Sequence, residues 1–390
     1  MSNPDVSSRG PVDSEPSVSV QESVEAQWKR VVGRRSFLKG VGVAGMAAVP
    51  GSALFASEAT ATSRGLTPGD VAILRLLAAI ELIEADLWQQ YNELGGQNGG
   101  NPAYMAALSN LDGDMPQYIS DNTDDEISHA AFLNAYLRSK GARPVNLDEF
   151  RTLPSSKATG ARQVGRLTNL QTLDVDTSWY VRYRSTENPD LGARFPQAVT
   201  IKHEPAIPLS DTDTPPRLPA PVPPVGPQEA RMQAIANTAG FHFAYIEQGG
   251  SSLYSIMALK ATSLETLRII VAIGGVETNH FSLWHDKAGN AVAAPLAGVT
   301  DPHTGVTFPD LNAKGGELNQ TNLILPEPCE FLKGLPDCSI VRPTLDHNGG
   351  ARATIASFTA DRLFEGQSAK FFTKIHALAR AADAAHRQLG

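Results

Sequence analysis

Glutamate and histidine stand three residues apart at two places in this 390-residue sequence, as Glu126-Ile-Ser-His129 and as Glu277-Thr-Asn-His280. On a helix such a pair leaves one face about 60° apart, close enough for both side chains to bind one ion. Further carboxylates precede each pair: Glu81 and Glu84 ahead of the first, Glu247 ahead of the second. Four carboxylates and two imidazoles can neutralise two divalent first-row ions, iron or manganese, and still leave positions open for oxygen or peroxide. Thiolate-rich zinc or iron–sulfur chemistry has no comparable ligand set, because the chain contains only two cysteines.

The elements that would hold these residues follow from periodicity and capping. Thr67-Pro68-Gly69-Asp70 has the form of a helix start, and apolar residues recur at helical spacing from Val71 to Leu94. Glu81 and Glu84 fall inside that apolar stripe, where a carboxylate needs a partner. A short segment near Ala103 to Leu111 follows a Gly/Asn-rich turn. A second long helix is expected from the acids at 121–124 through Glu126 and His129 to Lys140, with Gly141 as its cap. The helix from Gln228 to about Thr262 carries Glu247 followed by Gly249-Gly250. The glycine pair points to close approach of a neighbour or to a local bulge. Ser263 caps the next helix, which carries a second pair, Gly274-Gly275, just before Glu277. Aromatic residues stand two turns beyond each first-helix carboxylate: Trp88 after Glu81, Tyr91 after Glu84 and Tyr254 after Glu247.

On these residues the chain resembles the ferritin-like superfamily, and more narrowly the exported bacterial ferritin-like domain proteins related to plant desiccation-related proteins. The resemblance covers residues 67–141 and 228–292. It implies an all-α, four-helix bundle in which one Glu from each of two helices joins a Glu-x-x-His from each of the other two. The ligands it implies are Glu126, His129, Glu247, Glu277 and His280, plus one Glu of the first helix. Internal symmetry favours Glu81, while Glu84 and Tyr91 satisfy the spacing too, and Tyr254 is a further candidate around the metal. The gap between Glu and Glu-x-x-His is longer in the first half, which an insertion in the Gly/Asn turn accommodates. The implied cofactor is a pair of iron or manganese ions, and the implied activity is redox chemistry with oxygen or peroxide, of an oxidase, peroxidase or catalase-like kind. Iron oxidation with sequestration, or a non-catalytic desiccation-protective role in the envelope, are the alternatives. With its long insertions the chain is expected to act as a monomer or homodimer rather than to close into a storage shell.

The flanks complete the layout. Residues 1–33 are polar and without hydrophobic periodicity, and Gly33-Arg34-Arg35-Ser36-Phe37-Leu38-Lys39 then precedes a weakly apolar run. This resembles a twin-arginine export signal, with Gly33 in place of the usual Ser or Thr. It implies passage through the twin-arginine translocation machinery and a periplasmic or extracellular location, with a cleavage site at Ala59-Thr60-Ala61 or after Ala56. Residues 1–61 are therefore assigned to signal, 62–292 to the bundle and 293–390 to a loop-rich wrap with an extra C-terminal helix starting between Thr354 and Arg362. Residues 142–227 form a crossover insertion, with alternation from Ser178 to Arg184 and from Ala198 to Lys202 reading as strands and seven prolines from Thr214 to Pro227 reading as extended connector. In an oxidising compartment Cys329 and Cys338 are expected to pair. A net charge of −8 without any dense basic run argues against nucleic acid as a partner.

Overall fold

The computed structural model describes residues 65–182, 196–213, 228–311, 313, 328–329, 332–338 and 349–388. The Arg34-Arg35 segment and the proline-rich stretch lie outside the described residues. Among them the chain is helical, with two residues per strand in its one sheet. No described helix is long and apolar enough to cross a membrane.

Helix α1, Pro68–Gly95, begins where its capping residues dictate. Thr67 Oγ1 accepts from the Asp70 backbone N–H at 3.0 Å, and Pro68 occupies the first turn, where a missing N–H costs nothing. Helix α2, Pro102–Leu111, is capped by Asn101. Helix α3, Met115–Ser139, starts ahead of the acids at 121–124, with Pro116 in its first turn and no side-chain cap. It ends at Gly141, whose φ of 75° is the left-handed conformation glycine adopts freely. Helix α5, Arg231–Lys260, and helix α6, Leu264–Ala291, are joined by a turn in which Ser263 accepts from Thr266 N–H at 3.1 Å.

The direction of packing can be read from side-chain pairs. Lys140 meets Glu265 while Asp125 meets His280, so α3 and α6 run antiparallel. Trp88 meets Glu247 while Glu81 meets Tyr254, which sets α1 antiparallel to α5. Thr123 meets the Trp88 carbonyl and His129 meets Glu81, which does the same for α1 and α3. Ile73, Leu77, Ile80, Leu87, Leu133, Phe243, Ile246, Leu253, Ile270 and Trp284 fill the space between these helices and are buried.

The insertion is more than a surface crossover. Leu147, Phe150, Leu167, Leu170 and Leu173 are buried against the core, and Asp86 of α1 accepts from Leu167 N–H at 2.9 Å, Thr168 N–H at 3.0 Å and the Thr168 hydroxyl at 2.7 Å. Two strand expectations are corrected. Residues 178–182 form a short helix, α4 (Ser178–Arg182), and 198–202 are irregular. The aromatic side chains Trp179 and Tyr180 are both buried, a burial that one turn of helix supplies where a strand would turn one of them outward. Strand β1, Gln228–Glu229, pairs in parallel with β2, Val299–Thr300.

The single C-terminal helix expected from the periodicity is two: α7, Ala351–Ala360, and α8, Ala369–Asp383. The break carries Arg362 at φ 68° and Gly366 at φ 86°, left-handed conformations that a continuous helix cannot hold. It leaves Asp361 buried, facing His242. The disulfide is not formed: Cys329 and Cys338 are free thiols, one half-buried and one exposed. Sequence spacing permits loop closure, but the bond also demands close and correctly aimed Cβ atoms, which spacing does not specify.

Candidate metal centre

Glu81, Glu126, His129, Glu247, Glu277 and His280 converge on one buried spot between α1, α3, α5 and α6. Their ligand atoms form two groups, Glu81–Glu126–His129–Glu277 and Glu126–Glu247–Glu277–His280, each with its atoms within 4.8 Å of one another. Glu126 and Glu277 belong to both groups, so each is placed to bridge. Each group then has one private carboxylate and one private imidazole.

The distances fit ions better than hydrogen bonds. His129 Nδ1 lies 3.1 Å from Glu126 Oε2, 3.3 Å from Glu81 Oε2 and 3.4 Å from Glu277 Oε1. One ring nitrogen carries at most one proton and cannot serve three carboxylates. Glu81 Oε2 and both Glu277 oxygens are left without a hydrogen bond in a buried place, where such a deficit is costly. Neighbouring ligands of an octahedral ion with bonds of about 2.1 Å sit about 3.0 Å apart, close to what is seen here. His280 Nδ1 repeats the pattern, at 3.1 Å from Glu126 Oε1 and 3.2 Å from Glu247 Oε2.

Local packing aims these groups. His280 Nε2 lies 3.1 Å from the exposed Asp125 carboxylate, which fixes the ring with Nδ1 inward. Trp88 Nε1–H donates to Glu247 Oε1 at 2.9 Å, and the Tyr254 hydroxyl donates to Glu81 Oε1. Each half of the chain thus steadies the carboxylate of the other. Asn122 Nδ2 donates to Glu126 at 2.9 Å and to Glu247 at 3.1 Å, while its carbonyl accepts from Trp284 Nε1–H at 2.7 Å. One glycine of each pair has its reason here. A Cβ on Gly250 would lie 2.5 Å from Glu277 Oε2, and one on Gly274 would lie 2.8 Å from the Tyr254 Cβ.

The electrostatics are those of a cluster with too much negative charge for its burial. Burial drives the Glu81 pKa up to about 8, and drives Glu277 and Glu247 up as well. Burial also pushes Glu126 upward, but hydrogen bonds from His129 and His280 outweigh it and hold this carboxyl at about 2. Burial works against charge on both histidines, and the surrounding carboxylates overcome it and raise their pKa values. Two divalent ions would balance the four ligand carboxylates with both imidazoles neutral, which fits the donor set present.

Glu84 falls outside both groups. It is buried, neither of its oxygens has a hydrogen bond, and burial together with the Glu277 charge pushes its pKa well up. Of the two first-helix candidates the geometry therefore selects Glu81. Tyr254 touches the site through Glu81, whereas the Tyr91 hydroxyl turns to His242 Nδ1 at 2.7 Å and meets no ligand. His242 and His285 belong to neither ligand group, His242 lying between Tyr91 and Asp361 and His285 stacked on Tyr180. Sequence reasoning missed Asn122 and Asp125. Asn122 stands one turn before Glu126 on the same face, a signal that was available, but Asp125 is recognisable only once α6 is beside it.

The described residues thus bring together buried Glu and His groups able to hold metal ions. Comparison of the chain with models of known protein families, with curated proteins and with solved structures gave no match, so the centre is defined by its own geometry.

Proposed function

We propose that this chain is a ferritin-like four-helix-bundle protein that binds a dinuclear iron or manganese centre and uses it in redox chemistry with oxygen or peroxide. The observation that carries the reading is the pair of four-ligand groups sharing Glu126 and Glu277. The antiparallel packing of α1 with α3 and α5, and of α3 with α6, together with the long segment between α3 and α5, supports the bundle. The Arg34-Arg35 sequence supports export of the folded chain through the twin-arginine route.

Held by these residues, two such ions would supply Lewis acidity and redox capacity toward a small oxidant. The protein's own part is positional. Asn122, Trp88 and Tyr254 hold ligand oxygens by hydrogen bonds, so the carboxylates are fixed before an ion arrives. Asp125 orients His280 and offers a partner for its outer proton at the solvent boundary, where the two histidines are the least buried ligands. The stacked rings of Trp88, Phe243 and Trp284 are fully buried beside the Trp88 contact with Glu247.

The test is metal analysis of the purified chain, followed by oxygen and peroxide consumption. About two iron or manganese ions per chain with turnover are expected. Fewer than one after careful loading sinks the proposal, and full loading without turnover points to sequestration or a protective role.

A further inference from the structure

The candidate centre leaves one feature of α3 and α6 unexplained, their outer face. A helix face turned to solvent ordinarily carries charged side chains. From Ile127 to Leu137 on α3 and from Ile269 to His285 on α6 the only acidic or basic side chains are His129, Glu277, His280 and His285, all buried. What these helices show to solvent there is largely apolar or small. Phe132 is 53% exposed, Ile127 42% and Val271 59%, and Ala272 and Gly275 are exposed beside them. An apolar surface that extends over two neighbouring helices marks a place of contact.

Charge returns at the two ends of this face, with opposite sign. Where α3 ends and α6 begins stand Arg138, Lys140 and Arg268 against Glu265, which Lys140 meets at 2.6 Å. Toward the opposite end stand Asp121, Asp124, Asp125 and Asp286 against Lys287, which lies 3.0 Å from Asp286 and 2.8 Å from Asp112. Phe132 lies midway between Asp125 and Arg138 along α3. A half-turn about an axis normal to the face and passing near Phe132 exchanges the two ends. The basic end of one copy then lies over the acidic end of the other, twice.

We infer that two copies of this chain pair through the α3–α6 face about that two-fold axis. Such pairing uses one patch twice, so the patch must complement itself, and an apolar middle between ends of opposite sign does so. Each chain carries a net charge of −8, which by itself would hold two copies apart, and the crossed ends answer that repulsion where the chains meet. From Asp121 to Ser139 helix α3 runs about 27 Å, and two helices side by side are about 20 Å wide. That footprint is comparable with the roughly 800 Å² that each partner of a stable complex buries. His129 and His280 sit in the seam between the helices, since His129 meets Glu277 across it and His280 meets Asp125. Pairing therefore covers the side on which the candidate centre lies nearest to solvent, and it stands independently of the dinuclear reading.

Sedimentation equilibrium of the purified full chain at micromolar concentration should give the mass of two copies. Phe132→Glu and Val271→Glu, both at exposed positions, should each give the mass of one copy with the helical circular dichroism unchanged. Arg138→Glu with Arg268→Glu makes both ends acidic, and Asp121→Lys with Asp124→Lys makes both ends basic. Each double variant alone should be monomeric, and an equal mixture should recover a dimer containing one copy of each. A wild-type mass of one chain, the result if another segment of the same chain lies on this face, overturns the pairing. So does a dimer that persists in both glutamate variants, or a mixture of folded double variants that stays monomeric. Should a double variant fail to fold, the wild-type mass and the two glutamate variants decide by themselves.

Discussion

Removing a shared ligand and removing a private one should differ in kind, because Glu126 and Glu277 belong to both four-ligand groups and Glu81 and Glu247 to one each. Glu126→Ala is expected to abolish metal binding, whereas Glu81→Ala should leave about half of it, as read by metal content per folded chain. A second expectation concerns pH. In the metal-free chain Glu81 keeps its proton up to about 8, while an unfolded glutamate releases it near 4.5. The folded state then holds more protons across that window, so stability falls as pH rises through it. The raised His129 acts in the same direction above its ordinary 6.5, since its favourable charge is lost only as pH climbs towards the folded value. Glu126, held at about 2, acts oppositely: its contribution is present above 4.5 and is lost as pH falls towards 2. Calorimetry of the metal-free chain should show stability greatest near about pH 4.5 and lower by a few kcal/mol near about pH 8. Metal loading should remove the alkaline loss, because the ions favour the deprotonated carboxylates. At this scale the converging Glu and His residues were legible because Glu-x-x-His is a local pattern. Asp125 was not, because its partner His280 lies on another helix.

Helix spacing at the centre is set by two glycines, and they should respond differently to the same change. Gly250→Ala brings a methyl against the end of the Glu277 side chain, which can swing aside. Metal-free stability should then change by no more than about 1 kcal/mol, helix propensity gained offsetting strain, while metal affinity drops at least tenfold. Gly274→Ala meets the Tyr254 Cβ, which cannot move without its backbone. It should therefore push α5 and α6 apart and cost about 2 kcal/mol in thermal or denaturant unfolding. Element boundaries were legible where a side chain caps the helix, at Thr67 and at Ser263. They were not where no such signal exists: α3 opens at Asp114 without a capping bond, and the acids at 121–124, which look like a start, lie inside the helix. The alternation at 178–182 misled for a related reason, since five residues are too few to separate a period of two from one helical turn.

At the scale of the whole molecule, the segments beyond the four ligand-bearing helices are structural partners. Helix α8 packs along α1, and the tail returns to the α5–α6 turn, where Arg387 donates to the Ala261 carbonyl at 2.8 Å. The end of α8 also closes on α7, because Asp383 accepts from the backbone N–H of Ala351 and Arg352. Deleting residues 349–390 should uncover the α1 face and lower the melting temperature by about 10 °C or cause aggregation, checked by thermal melting and light scattering. The helical class and the four ligand-bearing helices were legible because amphipathic periodicity is written into each segment. The dense packing of the insertion was not, because Asp86 makes its bonds to backbone N–H groups far along the chain, and a backbone donor leaves no mark in sequence. The crossed pairing at the centre carries one more consequence. Trp88 steadies Glu247 and Tyr254 steadies Glu81, so neither helix pair holds a finished ion site alone. On the dinuclear reading proposed above, metal uptake would double as a proofreading step for tertiary assembly: an ion would be retained only once residues more than a hundred positions apart have met, and a half-folded chain would carry none.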